Sequence, residues 1–188
     1  MGMTSDVLFH YGLGKERLDY LLSFGSQEIS DNITVKKFYQ DYPFPNYEGK
    51  ENKSKLKTLT KNNLFVQDLF REIGFGKKII EIGSGTSQLS NLIASNSNSL
   101  VVAFDATYES LLLGKKFAQK NNISNCYFVC ADISNINNIF YHNSFDYVIC
   151  SGVLHHTKNP KENFFKIEKL LKDDGLILIG LYNKFGRL

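Results

Sequence analysis

The 188-residue chain has a formal net charge of +3, with 43% hydrophobic and 22% charged residues. These values fit one globular domain with a substantial core, and the charge is too small to indicate a nucleic-acid partner. No apolar run is long enough to cross a bilayer, and residues 1–6 lack the features of a secretory signal. The three cysteines, an odd number, fit a reducing compartment. We therefore expect a cytoplasmic protein without a membrane partner.

Residues 1–76 are predicted to form a helical cap, and residues 77–188 the main domain. Within the cap, the spacing of apolar residues predicts helices over residues 15–24, 30–40 and 52–73. A glycine directly after the first and the last of these helices supplies a stop signal.

Two prolines separate the second and third predicted helices, in the run Asp-Tyr-Pro-Phe-Pro-Asn-Tyr of residues 41–47. Proline fixes its own φ and restricts the residue before it, so this run is predicted to be a rigid, extended loop. Its aromatic side chains either form a lid over a flat ligand or anchor the cap to the main domain. The candidate lid residues are Tyr39, Tyr42, Phe44 and Tyr47.

The most informative segment is residues 77–87, Lys-Lys-Ile-Ile-Glu-Ile-Gly-Ser-Gly-Thr-Ser, which a helical pattern follows at residues 88–94. A buried strand, a glycine turn and a helix start form the ligand-facing corner of a doubly wound α/β sheet. A dinucleotide site carries G-x-G-x-x-G and places a pyrophosphate on the helix N-terminus, but here Gln88 occupies the third glycine position. Glu81 adds negative charge beside the turn, which favours a cationic ligand over a phosphate.

Three further strands are predicted, and polar residues end each of them. The strand over residues 100–105 ends in Asp105, about twenty residues past the glycines, where an acid accepts hydrogen bonds from ribose hydroxyls. The third strand, residues 125–133, carries Asp132 near its end, and the fourth, residues 144–152, ends in Ser-Gly. A nicotinamide enzyme has the same acid at the position of Asp105, so that residue alone does not discriminate between ligands.

Together these segments resemble the class I S-adenosylmethionine-dependent methyltransferases, whose first motif is an acidic residue, any residue and then Gly-x-Gly-x-Gly. The match departs at Ser87, where the family usually has a third glycine. The run Val-Leu-His-His-x-x-x-Pro at residues 153–160 is common in the branch that includes small-molecule and quinone methylases. The resemblance implies an enzyme that uses S-adenosylmethionine, releases S-adenosylhomocysteine and methylates a small molecule rather than a nucleic acid.

The resemblance also implies the roles of the strand ends. The first would hold the methionine part of the cofactor, the second the ribose and the third the adenine, while the fourth would lie near the sulfonium. No metal is expected. The implied cofactor-binding residues are Glu81, Gly83, Ser84, Gly85, Thr86, Asp105, Ala106, Asp132, Ile133, Ser151, Gly152 and Val153.

Several of these residues have structural alternatives. Asp105 and Asp132 would also serve as helix N-caps, and Glu81 as a solvated acid at a strand end. His155 and His156 are the candidates for a catalytic base, and both equally fit a structural role. Two other functions stay open: a module that binds the cofactor without turnover, and a nicotinamide-dependent oxidoreductase.

The end of the chain is predicted to contain a helix over residues 161–172 and a fifth strand over residues 176–182. The resemblance implies a mostly parallel sheet with strand order 3-2-1-4-5. The resembled fold normally continues into two more strands, which this sequence does not supply. Either the sequence is a fragment of a longer chain, or a partner covers the open edge. An open apolar sheet edge favours association, so we expect a homodimer formed through that edge or an unstable monomer.

Overall fold

The computed structural model describes residues 33–47 and 63–181, together with Asn52, Ser54, Lys55 and Thr58. The predicted helix over residues 15–24 lies outside the described residues. The same holds for residues 30–32, most of residues 53–62 and residue 182, which belong to three other predicted elements.

The described residues form an alternating series of strands and helices. The six α-helices are α1 (Ile33–Asp41), α2 (Leu64–Ile73), α3 (Gln88–Asn96), α4 (Tyr108–Lys120), α5 (Ile136–Ile139) and α6 (Pro160–Glu168). The five strands are β1 (Lys78–Ile82), β2 (Leu100–Asp105), β3 (Cys126–Cys130), β4 (Phe145–Ser151) and β5 (Leu171–Gly180). Two 3₁₀ turns, Ile133–Asn135 and Leu154–His156, follow β3 and β4.

The five strands form one sheet in the order β3-β2-β1-β4-β5, with every neighbouring pair parallel. This order confirms the predicted doubly wound α/β fold. The strands β1, β2 and β4 are largely buried on both faces, as the continuous apolar runs of parallel strands require. The edge strand β5 is half-buried or exposed along its length. Ile80 and Phe104 belong to one core and Ile79 and Val101 to the other, because successive side chains of a strand point to opposite faces.

Two predicted helix boundaries are wrong. The helix expected over residues 52–73 is interrupted at Asn63, which has an extended backbone and whose side chain accepts a hydrogen bond from the Val66 N–H. Asparagine competes with the helix by capping it, and α2 therefore begins one residue later. At the other end of the chain, α6 stops at Glu168 and β5 already begins at Leu171.

The early start of β5 reflects an irregularity opposite β4. Phe145 pairs with Leu171, and Tyr147, two residues on, pairs with Leu176. The Lys172 ammonium lies 2.8 Å from an Asp146 oxygen. This pair holds the extra residues of β5 beside β4, where the helical pattern had been expected to continue.

No helix within the described part of the chain is long and apolar enough to span a membrane.

Candidate ligand-binding site

A cavity of about 230 Å³ lies at the carboxyl ends of the central strands. The strand order reverses there, between β1 and β4, and open α/β sheets bind ligands at this position. The cavity is lined by Tyr39, Phe44, Ile82, Gly83, Gly85, Phe104, Asp105, Ala106, Thr107, Ser110, Ala131, Asp132, Ile133, Ser151, Gly152, Val153, His156 and Thr157.

The glycine turn after β1 forms the floor of this cavity. Gly83 and Gly85 have φ of 71° and 53°, a region that glycine enters without steric cost. A Cβ atom at Gly83 would lie 2.0 Å from Val153 Cγ2, and one at Gly85 would lie 2.2 Å from the Phe44 carbonyl oxygen. Both positions therefore need glycine for close packing as well as for the turn.

We expect Gly85→Ala to lower the free energy of unfolding by about 2 kcal/mol, since it adds a clash with a backbone oxygen to the strain of a positive φ. Gly76→Ala is the matched control, because Gly76 has a φ of 69° with open space around it. That variant should lose only about 1 kcal/mol. Chemical denaturation of both variants measures the difference, and equal losses would contradict the close approach at Gly85.

Glu81 is turned away from the cavity and toward the start of α3. Its Oε2 accepts hydrogen bonds from the Ser90 N–H, at 2.9 Å, and from the Ser90 hydroxyl. Ser87, the N-cap residue of α3, makes no side-chain capping bond, so Glu81 supplies an acceptor that this helix start otherwise lacks. Burial raises the pKa of Glu81 from 4.5 to about 7. In this arrangement the Glu81 carboxyl group stabilises the first turn of α3, which follows the glycine turn.

Asp105 joins the turn to the next helix. Its Oδ2 accepts from the Gly85 N–H at 2.8 Å and its Oδ1 from the Thr107 N–H at 2.7 Å. The carboxylate also lines the cavity. Burial raises the pKa of Asp105, while the hydrogen bonds that it accepts oppose that rise. Asp105 thus shapes the glycine turn and presents negative charge to the cavity.

The other predicted cofactor-binding residues divide into two groups. Ser84 and Thr86 are buried in the turn but do not line the cavity. Asp132 lines it, and its Oδ1 also accepts from the Ser134 N–H at 2.8 Å, so the capping role and the cavity-lining position coexist. The remaining predicted residues all line the cavity: Ala106, Ile133, Ser151, Gly152 and Val153.

A strap, defined here as residues 44–47, lies directly on the glycine turn. The Phe44 carbonyl accepts from the Thr86 N–H at 3.4 Å, and the Asn46 carbonyl accepts from the Gln88 side-chain amide at 3.2 Å. The Thr86 hydroxyl donates to the Pro45 carbonyl. The strap is therefore attached to the turn through its own backbone.

The aromatic residues near the strap have different positions. Tyr47 is an anchor: its hydroxyl donates to the Thr86 carbonyl at 3.0 Å, and its ring stacks on Phe117 with centroids 5.0 Å apart. Tyr39 and Phe44 line the mouth of the cavity. Tyr42 is 67% exposed and does not line it. Tyr47 therefore serves as an anchor, and Tyr39 and Phe44 stay candidates for a lid.

The two histidines after β4 also differ in position. His156 lines the cavity, whereas His155 does not. Their ring centroids are 4.2 Å apart with the planes inclined by 52°, and the His156 N–H donates to the Val153 carbonyl at 2.9 Å. The 3₁₀ turn that follows Val153 places the second histidine toward the cavity.

The polar cavity-lining residues that the sequence patterns did not predict are Thr107, Ser110 and Thr157. The signal for the first two was their place at the start of the helix after Asp105, because that helix start faces the same cleft. Among the residues that the structure describes, no cluster of three or more histidine, cysteine or acidic side chains could hold a metal.

A parallel sheet of this order, with a glycine turn and carboxylates at adjacent strand ends, is the architecture of Rossmann-like methyltransferases. The chain belongs to the methyltransferase domain family, whose sequence model matches residues 74–186. This match confirms the resemblance that the motifs predicted.

The curated relatives include a ubiquinone biosynthesis O-methyltransferase from Glaesserella parasuis, 32% identical over 112 residues. That alignment covers 58% of this chain and 47% of the relative, so the chain spans about half the length of the curated relatives it matches.

Solved structures share the fold. An S-adenosylmethionine-dependent methyltransferase from Geobacter sulfurreducens in complex with S-adenosylhomocysteine has a TM-score of 0.54 and 16% identity, over 79% of this chain and 55% of its own. The [4+2]-cyclase SpnF has a TM-score of 0.55 and 16% identity, over 92% of this chain and 58% of its own.

Proposed function

We propose that this protein is an S-adenosylmethionine-dependent methyltransferase acting on a small molecule. The observation that carries the proposal is a single cavity lined by the glycine turn, Asp105 and Asp132. The chain that forms this cavity belongs to the methyltransferase domain family. Among the residues that the structure describes, the acidic side chains that line the cavity lie at or just after strand ends, and no lysine or arginine lines it. This charge favours a sulfonium and an ammonium, and opposes the pyrophosphate of a nicotinamide dinucleotide.

Different cavity-lining residues would bind different parts of the cofactor. The floor at Gly83 and Gly85 admits the methionine part, because no Cβ atom obstructs it. Asp105 would accept from the ribose hydroxyls and Asp132 from the adenine amino group, beside the apolar wall at Ile133. The aromatic faces of the cavity mouth would attract the positive sulfonium.

Bound S-adenosylmethionine supplies an already activated methyl group, so the protein's part is to orient the acceptor and exclude water. Phe44 and Tyr39 would cover the cavity mouth, and the strap keeps Phe44 in place through the bonds to Thr86. His156 is the cavity-lining side chain suited to take a proton from an acceptor hydroxyl. A hydroxyl acceptor agrees with the O-methyltransferase names of the curated relatives.

A second function is a module that binds the cofactor without transferring a methyl group. One observation favours it: a structural neighbour that covers 92% of this chain is named as a [4+2]-cyclase and not as a methyltransferase. Binding of the cofactor without turnover on any hydroxyl acceptor would support this alternative.

A homodimer remains a prediction, as does a cytoplasmic location. In the described residues β5 pairs on one side, with β4, and Leu176 on that strand is 48% exposed. We propose that this edge meets a second copy of the chain, which sedimentation velocity would detect.

Calorimetric titration with S-adenosylmethionine, S-adenosylhomocysteine and NAD tests the proposed cofactor. We expect both adenosyl ligands to bind and NAD not to bind. Asp105→Ala should weaken S-adenosylhomocysteine by roughly 1–3 kcal/mol, since it removes a charge-assisted acceptor. Asp68→Ala is the control, because Asp68 is an exposed partner of Arg71 on α2. Tight binding of NAD alone would overturn the proposal and revive the oxidoreductase.

A further inference from the structure

The start of α4 presents to the cavity a polar group that hydrogen-bonds to no described residue. Ser110 is 1% exposed, and its hydroxyl has no hydrogen-bond partner among the described residues. The side chain lines the cavity together with Asp105 and Thr107. A buried hydroxyl without a partner is costly, so a ligand atom at this place would remove that cost.

The start of α4 also lacks a side-chain cap. Thr107, the N-cap residue, makes no side-chain hydrogen bond to the first turn of α4. Instead its backbone N–H donates to Asp105, at 2.7 Å. A first helical turn without a side-chain cap carries partial positive charge and favours oxygen acceptors nearby. The surroundings of Ser110 therefore favour a ligand that carries an oxygen acceptor.

Asp105 and Ser110 are chemically complementary. An ionised carboxylate only accepts hydrogen bonds, and the two oxygens of Asp105 already receive the Gly85 and Thr107 amides. A sugar hydroxyl both donates and accepts. If it donates to Asp105, its oxygen still needs a donor, and the Ser110 hydroxyl on the same cavity wall is able to supply one.

We propose that Ser110 is a further cofactor-positioning residue, whose hydroxyl hydrogen-bonds to a ribose hydroxyl of the adenosyl group beside Asp105. The proposal rests on the proposed function, because it takes S-adenosylmethionine and S-adenosylhomocysteine as the ligands. It adds a contact on α4, beyond the strand ends to which the sequence motifs assign the site.

The test is titration of the whole chain with S-adenosylhomocysteine, for the wild type and for Ser110→Ala. We expect the variant to bind roughly fivefold to tenfold more weakly, the usual worth of one hydrogen bond. Its melting temperature should be unchanged or higher, since no described protein group loses a partner. Ser95→Ala is the matched control, because the Ser95 hydroxyl bonds to Leu92 within α3 and is away from the cavity.

A second readout separates a ribose contact from a packing effect. The wild type and Ser110→Ala are titrated with adenosine, 2′-deoxyadenosine and 3′-deoxyadenosine. If Ser110 meets a ribose hydroxyl, the wild type discriminates against one of the deoxy analogues and the variant loses most of that discrimination. Equal discrimination by the two proteins, with or without a lower melting temperature in the variant, would overturn the proposal.

Different results would overturn the proposed function and the Ser110 contact. A wild type that does not bind S-adenosylhomocysteine removes the proposed function and the Ser110 contact together. A wild type that binds it, with Ser110→Ala of equal affinity, overturns the Ser110 contact alone and leaves the proposed function standing.

Discussion

His156→Ala should slow methyl transfer to a hydroxyl acceptor by roughly 10²–10⁴-fold, the usual contribution of a positioned general base. His156 lines the same cavity as its chain neighbours Val153 and Thr157 and the aromatic residues Tyr39 and Phe44. Affinity for S-adenosylhomocysteine should change little, because the strand ends proposed to hold the cofactor are unaffected. Single-turnover kinetics with a phenolic acceptor would separate the two quantities.

His155→Ala is the matched comparison for this prediction. His155 is the adjacent residue on the same 3₁₀ turn and its ring packs against His156, but it does not line the cavity. We expect it to lose less than tenfold in turnover. Added imidazole should restore part of the activity of His156→Ala if the lost group is a base. Equal losses in both variants without such rescue would mean that the histidines maintain the shape of the turn.

As the pH rises, the wild type should lose about 3 kcal/mol in free energy of unfolding that Glu81→Gln does not lose. Burial raises the pKa of Glu81 from 4.5 to about 7, and each pKa unit corresponds to about 1.4 kcal/mol. Because the pKa in the folded state lies above that in the unfolded chain, protonation favours the fold. The stability that this proton contributes is fully present below pH 4.5 and is lost as the pH rises through 7.

The measurement is the free energy of unfolding by urea between pH 4.5 and pH 8. The wild type should lose stability relative to Glu81→Gln over this interval, since glutamine does not titrate and still offers an oxygen to Ser90. Asp105 has a raised pKa as well and contributes a slope of the same sign to both proteins. Glu168→Gln, at an exposed position of α6, should parallel the wild type. If the free energies of unfolding of Glu81→Gln and the wild type change with pH in parallel, the titration of Glu81 is not the cause of the pH dependence.

Some boundaries could not be read from the chain because local patterns compete with tertiary contacts. The helical pattern of residues 161–172 continues past Glu168, but the pairing of Lys172 with Asp146 and of Leu171 with Phe145 draws these residues into β5. The break at Asn63 had a local cause, an asparagine cap, which the apolar spacing on either side of it concealed.

The sequence by itself determined the architecture and the edge at which a ligand would bind. Buried strands, a glycine turn and strand-terminal acids recur along the chain, and the connections of a doubly wound sheet bring such strand ends together. For that reason the positions of Asp105 and Asp132 at the binding edge followed from local pattern, and the sheet order followed from the family resemblance that these motifs carry.

Only the tertiary structure decided what each polar side chain contacts. Glu81 turns to Ser90 because the Ser87 side chain does not cap α3. The aromatic segment divides into an anchor at Tyr47 and a cavity wall at Phe44, and Ser110 faces the cavity. These outcomes depend on which buried donors and acceptors find partners across distant segments, and the periodicity of a sequence carries no information about that pairing.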